Sequence, residues 1–285
     1  MSLPIEIALP GQVQADVLAL PVTDPVELRG DAARIVEQKL NGRLARLAQT
    51  GELKGEAGRA LVLHLGGELQ APRLVVAGLG KRDELGVDSF RTAGAAAARA
   101  ASRAGGTILW LVDESLPVPL PAQVRGLVEG TILGNYEPGR WKTRDEDRRR
   151  PLERVVIGAE PDDGLRREAE RAALVAERTN RARDLANAPP NELTPAALAL
   201  HAEQLVDEHE HLSGGGLGPD EIRSLGMGAL EAVGRGSANE PRLIVVRHDP
   251  PQPARSDVVL GLVGKAITFD SGGLSIKPAS SMQDM

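Results

Sequence analysis

The chain has 285 residues, 41% hydrophobic and 26% charged, which excludes a disordered polypeptide and gives room for about two ordinary domains. Its formal charge of −6 argues against a partner held through a phosphate backbone, and five aromatic residues (Phe90, Trp110, Tyr136, Trp141 and Phe269) leave few surfaces on which bases could stack, so nucleic acid is not an expected partner. There is no cysteine, so disulfides and thiolates are excluded and any metal must be held by oxygen and nitrogen.

The N-terminus, MSLPIEIALPGQ, has no basic region followed by an apolar run, and no stretch of 18 apolar residues occurs. No membrane partner is expected. An unstapled chain of this kind fits a reducing compartment, and a cytoplasmic location is expected.

In chain order, Asp16 to Val22 (DVLALPV) reads as a buried strand closed by turn residues. Asp31 to Gln49 carries Ile35, Leu40, Leu44 and Leu47 at helical spacing, with Asp31 as N-cap. Ala60 to Leu65 and Leu74 to Leu79 read as strands, the second ended by Gly78 and Gly80. Ser89 can cap an alanine-rich helix that runs to about Arg103. Thr107 to Val112 is the next strand, and Ala122 to Leu133 is again helical. This alternation predicts a parallel or mixed sheet covered by helices.

The mixed-charge stretch WKTRDEDRRR (141–150) reads as a solvated loop and marks a domain boundary, giving domains of 1–150 and 151–285. Val155 to Ile157 is a short strand, and a long amphipathic helix runs from about Leu165 to Leu185. Prolines in NAPPNELTP (187–195) forbid helix there, and Thr194 caps a new helix with Pro195 at its first position. SGGGLG (213–218) reads as a flexible loop, and Pro241 to His248 and Asp257 to Val263 as apolar strands.

Most polar clusters carry little chemistry. The glycines of 214–216 and 78–80 give neither G-x-G-x-x-G nor a Walker lysine, and read as loop and strand-end punctuation. His209 and His211 flank Glu210 at a spacing that does not share a helix face, and His64, His201 and His248 are isolated. Phe269 to Gly273 (FDSGG) lacks the glycine that a serine nucleophile elbow needs two positions before Ser271, which disfavours a serine hydrolase.

The segment Val263 to Met285 stands apart. The chain holds 28 Arg and 6 Lys, yet Lys265 and Lys277 fall within thirteen residues of each other, with Asp270 and Gly272-Gly273 between them. Lysine can serve as a neutral nitrogen ligand or a compact charged donor, whereas arginine never loses its proton in a protein. Gly272-Gly273 lets backbone approach a ligand closely. A strand over Asp257 to Val263 would deliver Lys265 to the usual ligand edge of an open sheet.

VGKAITFDSGGLSIKP (263–278) resembles the signature of the leucyl (cytosol) aminopeptidase family of two-metal exopeptidases. RDLANAPPNELTP (183–195) and LGMGALEAVGRGSANEPRLIVV (225–246) resemble the start of that family's catalytic domain, and the N-terminal half is similar to its more variable α/β domain. The resemblance implies an N-terminal mixed-sheet, macro-like α/β domain followed by the first part of an α/β zinc-peptidase-like catalytic domain. It implies that Lys265 ligates a divalent ion through its neutral amine, that Asp270 ligates the metals, and that charged Lys277 polarises the scissile carbonyl. Two divalent ions, manganese or zinc, a peptide substrate with a free N-terminus, and a homo-oligomer of hexameric type are implied with them.

The family also uses a further aspartate just beyond the MQDM region and an N-T-D-A-E-G-R motif, neither of which occurs here; Asp284 is not at the ligand spacing. The chain therefore reads as the N-terminal portion of such an enzyme, inactive by itself. Two alternatives are a noncatalytic paralogue that joins complete subunits and a nucleotide- or DNA-binding α/β module.

Overall fold

The computed structural model describes residues 3–138, 141, 150–252, 255 and 257–282. Most of the charged stretch expected to be a solvated loop, residues 142–149, lies outside the described residues, as does Asp284. The chain divides into two compact units, Met1–Asp184 and Leu185–Met285.

In the first unit, β1 (Ile5–Ala8), β2 (Val17–Asp24), β3 (Ala60–His64), β4 (Arg73–Lys81), β5 (Gly106–Leu111) and β6 (Leu152–Gly158) form one sheet in the order β1-β6-β5-β2-β4-β3. Every neighbouring pair is parallel except β3 with β4. The mixed sheet is as the alternating pattern predicts. The expected boundary near residue 150 falls just before β6, but β6 fills the place between β1 and β5, so the first unit continues past it.

Side chains alternate across the strands and both faces are covered. Val17, Ala19, Ile108, Trp110, Val155 and Ile157 face a core shared with α3 (Val87–Ala101), α4 (Leu120–Gly134) and α5 (Asp163–Asn187). Leu18, Leu20, Val22, Leu109 and Val156 face α1 (Asp31–Lys39) and α2 (Arg43–Gln49). Burial on both faces is why these strands read as unbroken apolar runs.

Two details differ from the sequence reading. The single helix expected over 31–49 is two helices, because Asn41 (φ 50°) and Gly42 (φ 76°) turn left-handed between them. The Glu37 carboxylate then accepts the amides of Leu44 and Ala45, both at 2.9 Å, and caps α2 from outside. The caps also shift: α1 starts after Gly30, and α3 after Gly86, whose amide donates to Ser89 Oγ at 3.3 Å.

Helices α3 and α4 touch backbone to backbone through Gly94, Gly126, Gly130 and Gly134. A Cβ on Gly130 would lie 2.0 Å from the Arg91 carbonyl oxygen. Beneath this contact, fully buried Trp110 donates its indole N–H to Thr131 Oγ1 at 3.0 Å.

In the second unit, Thr194 caps α6 (Pro195–Asp207) by accepting the Ala197 amide at 3.2 Å, as its sequence signature predicts. The segment expected to be a flexible glycine loop is instead β7 (Leu212–Leu217), paired antiparallel with β8 (Leu243–His248). Glycine is required there by close approach: a Cβ on Gly214 would meet the Val245 carbonyl at 2.0 Å, and one on Gly216 would meet Ala199 Cβ at 2.7 Å. Between these strands lie α7 (Pro219–Ser224) and α8 (Gly228–Gly234).

The buried strand expected over Asp257 to Val263 does not form. Residues 258–263 have no regular structure, and Val259, Leu260, Leu262 and Val263 are at least four-fifths exposed. A strand needs a neighbour's N–H and C=O groups, and among the described residues none pairs with this run. Lys265 therefore follows an exposed segment without regular structure and not the end of a sheet strand.

Candidate functional site

The loop from Lys265 to α9 (Ala279–Met282) holds all three residues singled out in the sequence. Its shape is set by two glycines with positive φ, Gly272 at 87° and Gly273 at 61°. The Lys277 amide donates to the Ser271 carbonyl at 2.8 Å and closes the loop. Inside that closure a Cβ on Gly272 would lie 2.2 Å from the Ser275 carbonyl oxygen. The Gly-Gly pair thus lets the backbone approach its own loop.

This closure brings Lys277 onto Asp270. Lys277 Nζ donates to Asp270 Oδ2 at 2.8 Å, and the Gly272 amide donates to Asp270 Oδ1 at 2.9 Å. The Lys277 ammonium and the Gly272 amide hold the Asp270 carboxyl below the usual aspartate range, against an opposing effect of burial that exceeds the further, weaker help from the charge of Lys265. Lys265 acts on Asp270 only through its charge: among the described residues its side chain has no hydrogen bond or ion pair. Sequence reasoning singled out the two lysines by their scarcity and Asp270 by its place between them and by the family resemblance. It missed the Gly272 amide on Asp270, for which the only signal was the glycine pair itself.

An ionised carboxylate and an amine are oxygen and nitrogen donors of the kind manganese and zinc accept. Among the described residues no cluster of three His, Asp or Glu could hold a metal ion. Lys265 and Asp270 are thus two donors of suitable type, and no third carboxylate or histidine joins them among the described residues.

The rival nucleotide reading has its own place in the fold. The connection from β2 runs over one face through α1 and α2, whereas that from β5 runs over the other through α4, so a ligand crevice would open between the C-terminal ends of β2 and β5. Here the Asp113 carboxylate fills the space beside Gly30, where a Cβ would fall 2.4 Å from it. Arg82 reaches the Ser115 carbonyl and lies 3.7 Å from Glu27, which also pairs with Arg29. A phosphate entering this point would meet the Asp113 carboxylate, which accepts the Ser115 amide, and Glu27, whose arginines are already engaged. Among the described residues no helix is long and apolar enough to cross a membrane.

Comparison with known proteins gives a consistent result. Residues 19–145 match the N-terminal domain, and residues 180–285 the catalytic domain, of the cytosol aminopeptidase family. A probable cytosol aminopeptidase of Geobacter sp. (strain M21) is 38% identical over 283 residues, covering 99% of this chain and 57% of the relative. Another, of Roseiflexus castenholzii, is 38% identical over 256 residues, covering 87% and 51%. Among solved structures, the bottromycin maturation enzyme BotP in complex with Mn is similar with a TM-score of 0.73 and 30% identity, over 93% of this chain and 51% of that one. A mutant of tomato leucine aminopeptidase is similar with a TM-score of 0.79 and 26% identity, over 96% and 58%. The chain spans about half the length of the curated relatives it matches.

Proposed function

We propose that this chain, which belongs to the cytosol aminopeptidase family, supplies part of the active site of a metal-dependent aminopeptidase that removes leucine and similar residues from the free N-terminus of peptides. The observation that carries this reading is the meeting of Asp270 and Lys277 at 2.8 Å, with Lys265 in electrostatic reach, inside the segment that matches the catalytic domain. In this reading Lys265 and Asp270 are ligands of a pair of divalent ions, manganese or zinc. When bound, such ions supply Lewis-acid polarisation and lower the pKa of water.

The chain's own residues have separable tasks. Asp270 stays ionised because Lys277 and the Gly272 amide favour its charged form, so it is ready to act as a ligand without first losing a proton. Lys265 can ligate only as the neutral amine, which a neighbouring cation favours. Lys277 carries a flexible ammonium with three donors, and serves as the hydrogen-bond donor to the substrate's carbonyl oxygen. Two donor side chains do not complete the shell of four or more ligands that such ions take, so turnover depends on further ligands. Self-association, of hexameric type by family analogy, and a cytoplasmic location belong to the same proposal.

The test is hydrolysis of a leucine chromogenic amide with added Mn2+, by the chain alone and by the chain fused to the remaining length of the Geobacter relative. The chain alone stays near background. The fusion turns over in a metal-dependent way and loses at least about a hundredfold on Asp270→Asn or Lys277→Met, as for loss of one preorganised donor. Substantial turnover by the chain alone would overturn the donor-count argument, and a fusion indifferent to both substitutions would overturn the roles assigned.

A further inference from the structure

We propose that Lys277 and an incoming divalent cation compete for the same carboxylate oxygen, so that metal entering this loop releases the lysine toward the substrate. The inference rests on the reading of Asp270 as a metal ligand given above. Both oxygens of Asp270 are engaged, Oδ1 by the Gly272 amide and Oδ2 by Lys277 Nζ. The amide is fixed by the backbone of a loop closed through the Lys277 amide and the Ser271 carbonyl. The ammonium sits at the end of a four-carbon stem and is the partner that can leave.

A doubly charged ion that takes Oδ2 as a ligand faces the ammonium at contact distance, and like charges so close disfavour each other strongly. Side-chain exposures of 29% for Lys277 and 42% for Asp270 leave a solvent path for both events. The backbone at residue 277 stays tied to Ser271, so a displaced ammonium remains within its own stem length of Asp270. The lysine is thereby presented beside the metal ligand only after the metal has bound. Metal loading and carbonyl recognition become two ordered steps. Because the coupling is a binding free energy it is reciprocal, and the Lys277–Asp270 pair lowers apparent metal affinity by the factor the pair is worth. For a partly exposed ion pair that factor is about two- to fivefold.

The experiment is a calorimetric titration of the full 285-residue chain with Zn2+, comparing the native sequence with K277M, K277R and D270N, together with NMR of the chain carrying 13C-labelled lysine. K277M is expected to bind zinc about two- to fivefold more tightly, whereas K277R, which keeps a cation on the carboxylate, stays at or below the native affinity. In the native chain the Lys277 side-chain resonances shift as zinc saturates, a readout that depends on no variant folding. The proposal is overturned if K277M binds no more tightly than the native chain, if K277R gains as much as K277M, or if the Lys277 resonances do not move. Zinc binding by D270N at native strength would instead overturn the ligand assignment on which the proposal stands.

Discussion

Replacing Gly272 by alanine isolates the geometry that joins Asp270 to Lys277. At φ 87° an L-residue is strained, at a cost of roughly 1–2 kcal/mol. The new Cβ would also stand 2.2 Å from the Ser275 carbonyl oxygen and 3.1 Å from the Lys277 amide nitrogen and Cγ. The first of these is backbone and cannot rotate away, so the loop must open by about 1 Å, which takes the 2.8 Å Lys277–Ser271 backbone closure out of hydrogen-bond range and with it the fixed seat of Lys277 on Asp270. Gly273→Ala is the internal control. It carries a φ of 61° and meets nothing within 4 Å, so it adds strain without a clash. Thermal melting followed by circular dichroism is expected to change little in either variant, because the loop lies outside both hydrophobic clusters. The Asp270 carboxyl, followed by 13C NMR during a pH titration, is expected to move up toward the ordinary aspartate value of about 3.9 in Gly272→Ala and to stay low in Gly273→Ala. The sign follows from linkage: the pair favours the ionised carboxyl, is present above that ordinary value, and is lost as pH falls through the lowered one. Equal midpoints in the two variants, or an unchanged midpoint in Gly272→Ala, would refute the reasoning.

Three further outcomes are expected. Gly130→Ala gains about 1 kcal/mol of helix propensity but drives a Cβ to 2.0 Å from the Arg91 carbonyl, so urea unfolding should show a net loss of about 2 kcal/mol; Gly11→Ala, with nothing within 4 Å, should be near neutral. Thr131→Val removes the acceptor of the buried Trp110 indole and should destabilise by about 1–3 kcal/mol, read from the same unfolding midpoint. Glu68 is held below the usual carboxylate range, first by its own amide and then by that of Gly66, so its NMR titration midpoint should lie below about 4.3. The order it brings to the 66–68 turn is present above the ordinary value and fades as pH falls through the lowered one, and Glu68→Gln should abolish that dependence.

The sheet of the first unit was readable in the sequence because two-sided burial writes itself as apolar runs closed by turn residues, as in DVLALPV. Helix breaks were less readable: Asn41-Gly42 interrupts a stretch whose apolar spacing continues on either side. β7 escaped notice because three successive glycines weigh toward a loop, and only the nearness of Val245 and Ala199 shows why they stand in a strand. The opposite error at 258–263 has a related cause, since an apolar run reports a tendency to be buried and says nothing of the partner that would bury it. At the site, lysine scarcity and the family resemblance exposed Lys265, Asp270 and Lys277, whereas the contact between the last two depends on positive φ angles whose only sign in the sequence was the Gly272-Gly273 pair.

The uncovered run VVLGLV has a practical bearing on handling. Five aliphatic residues interrupted only by Gly261, with no charge and no proline, are the kind of segment through which identical molecules stack into fibrous aggregates. Concentrated solutions should cloud with time, and a single lysine placed at Leu260 should keep them clear.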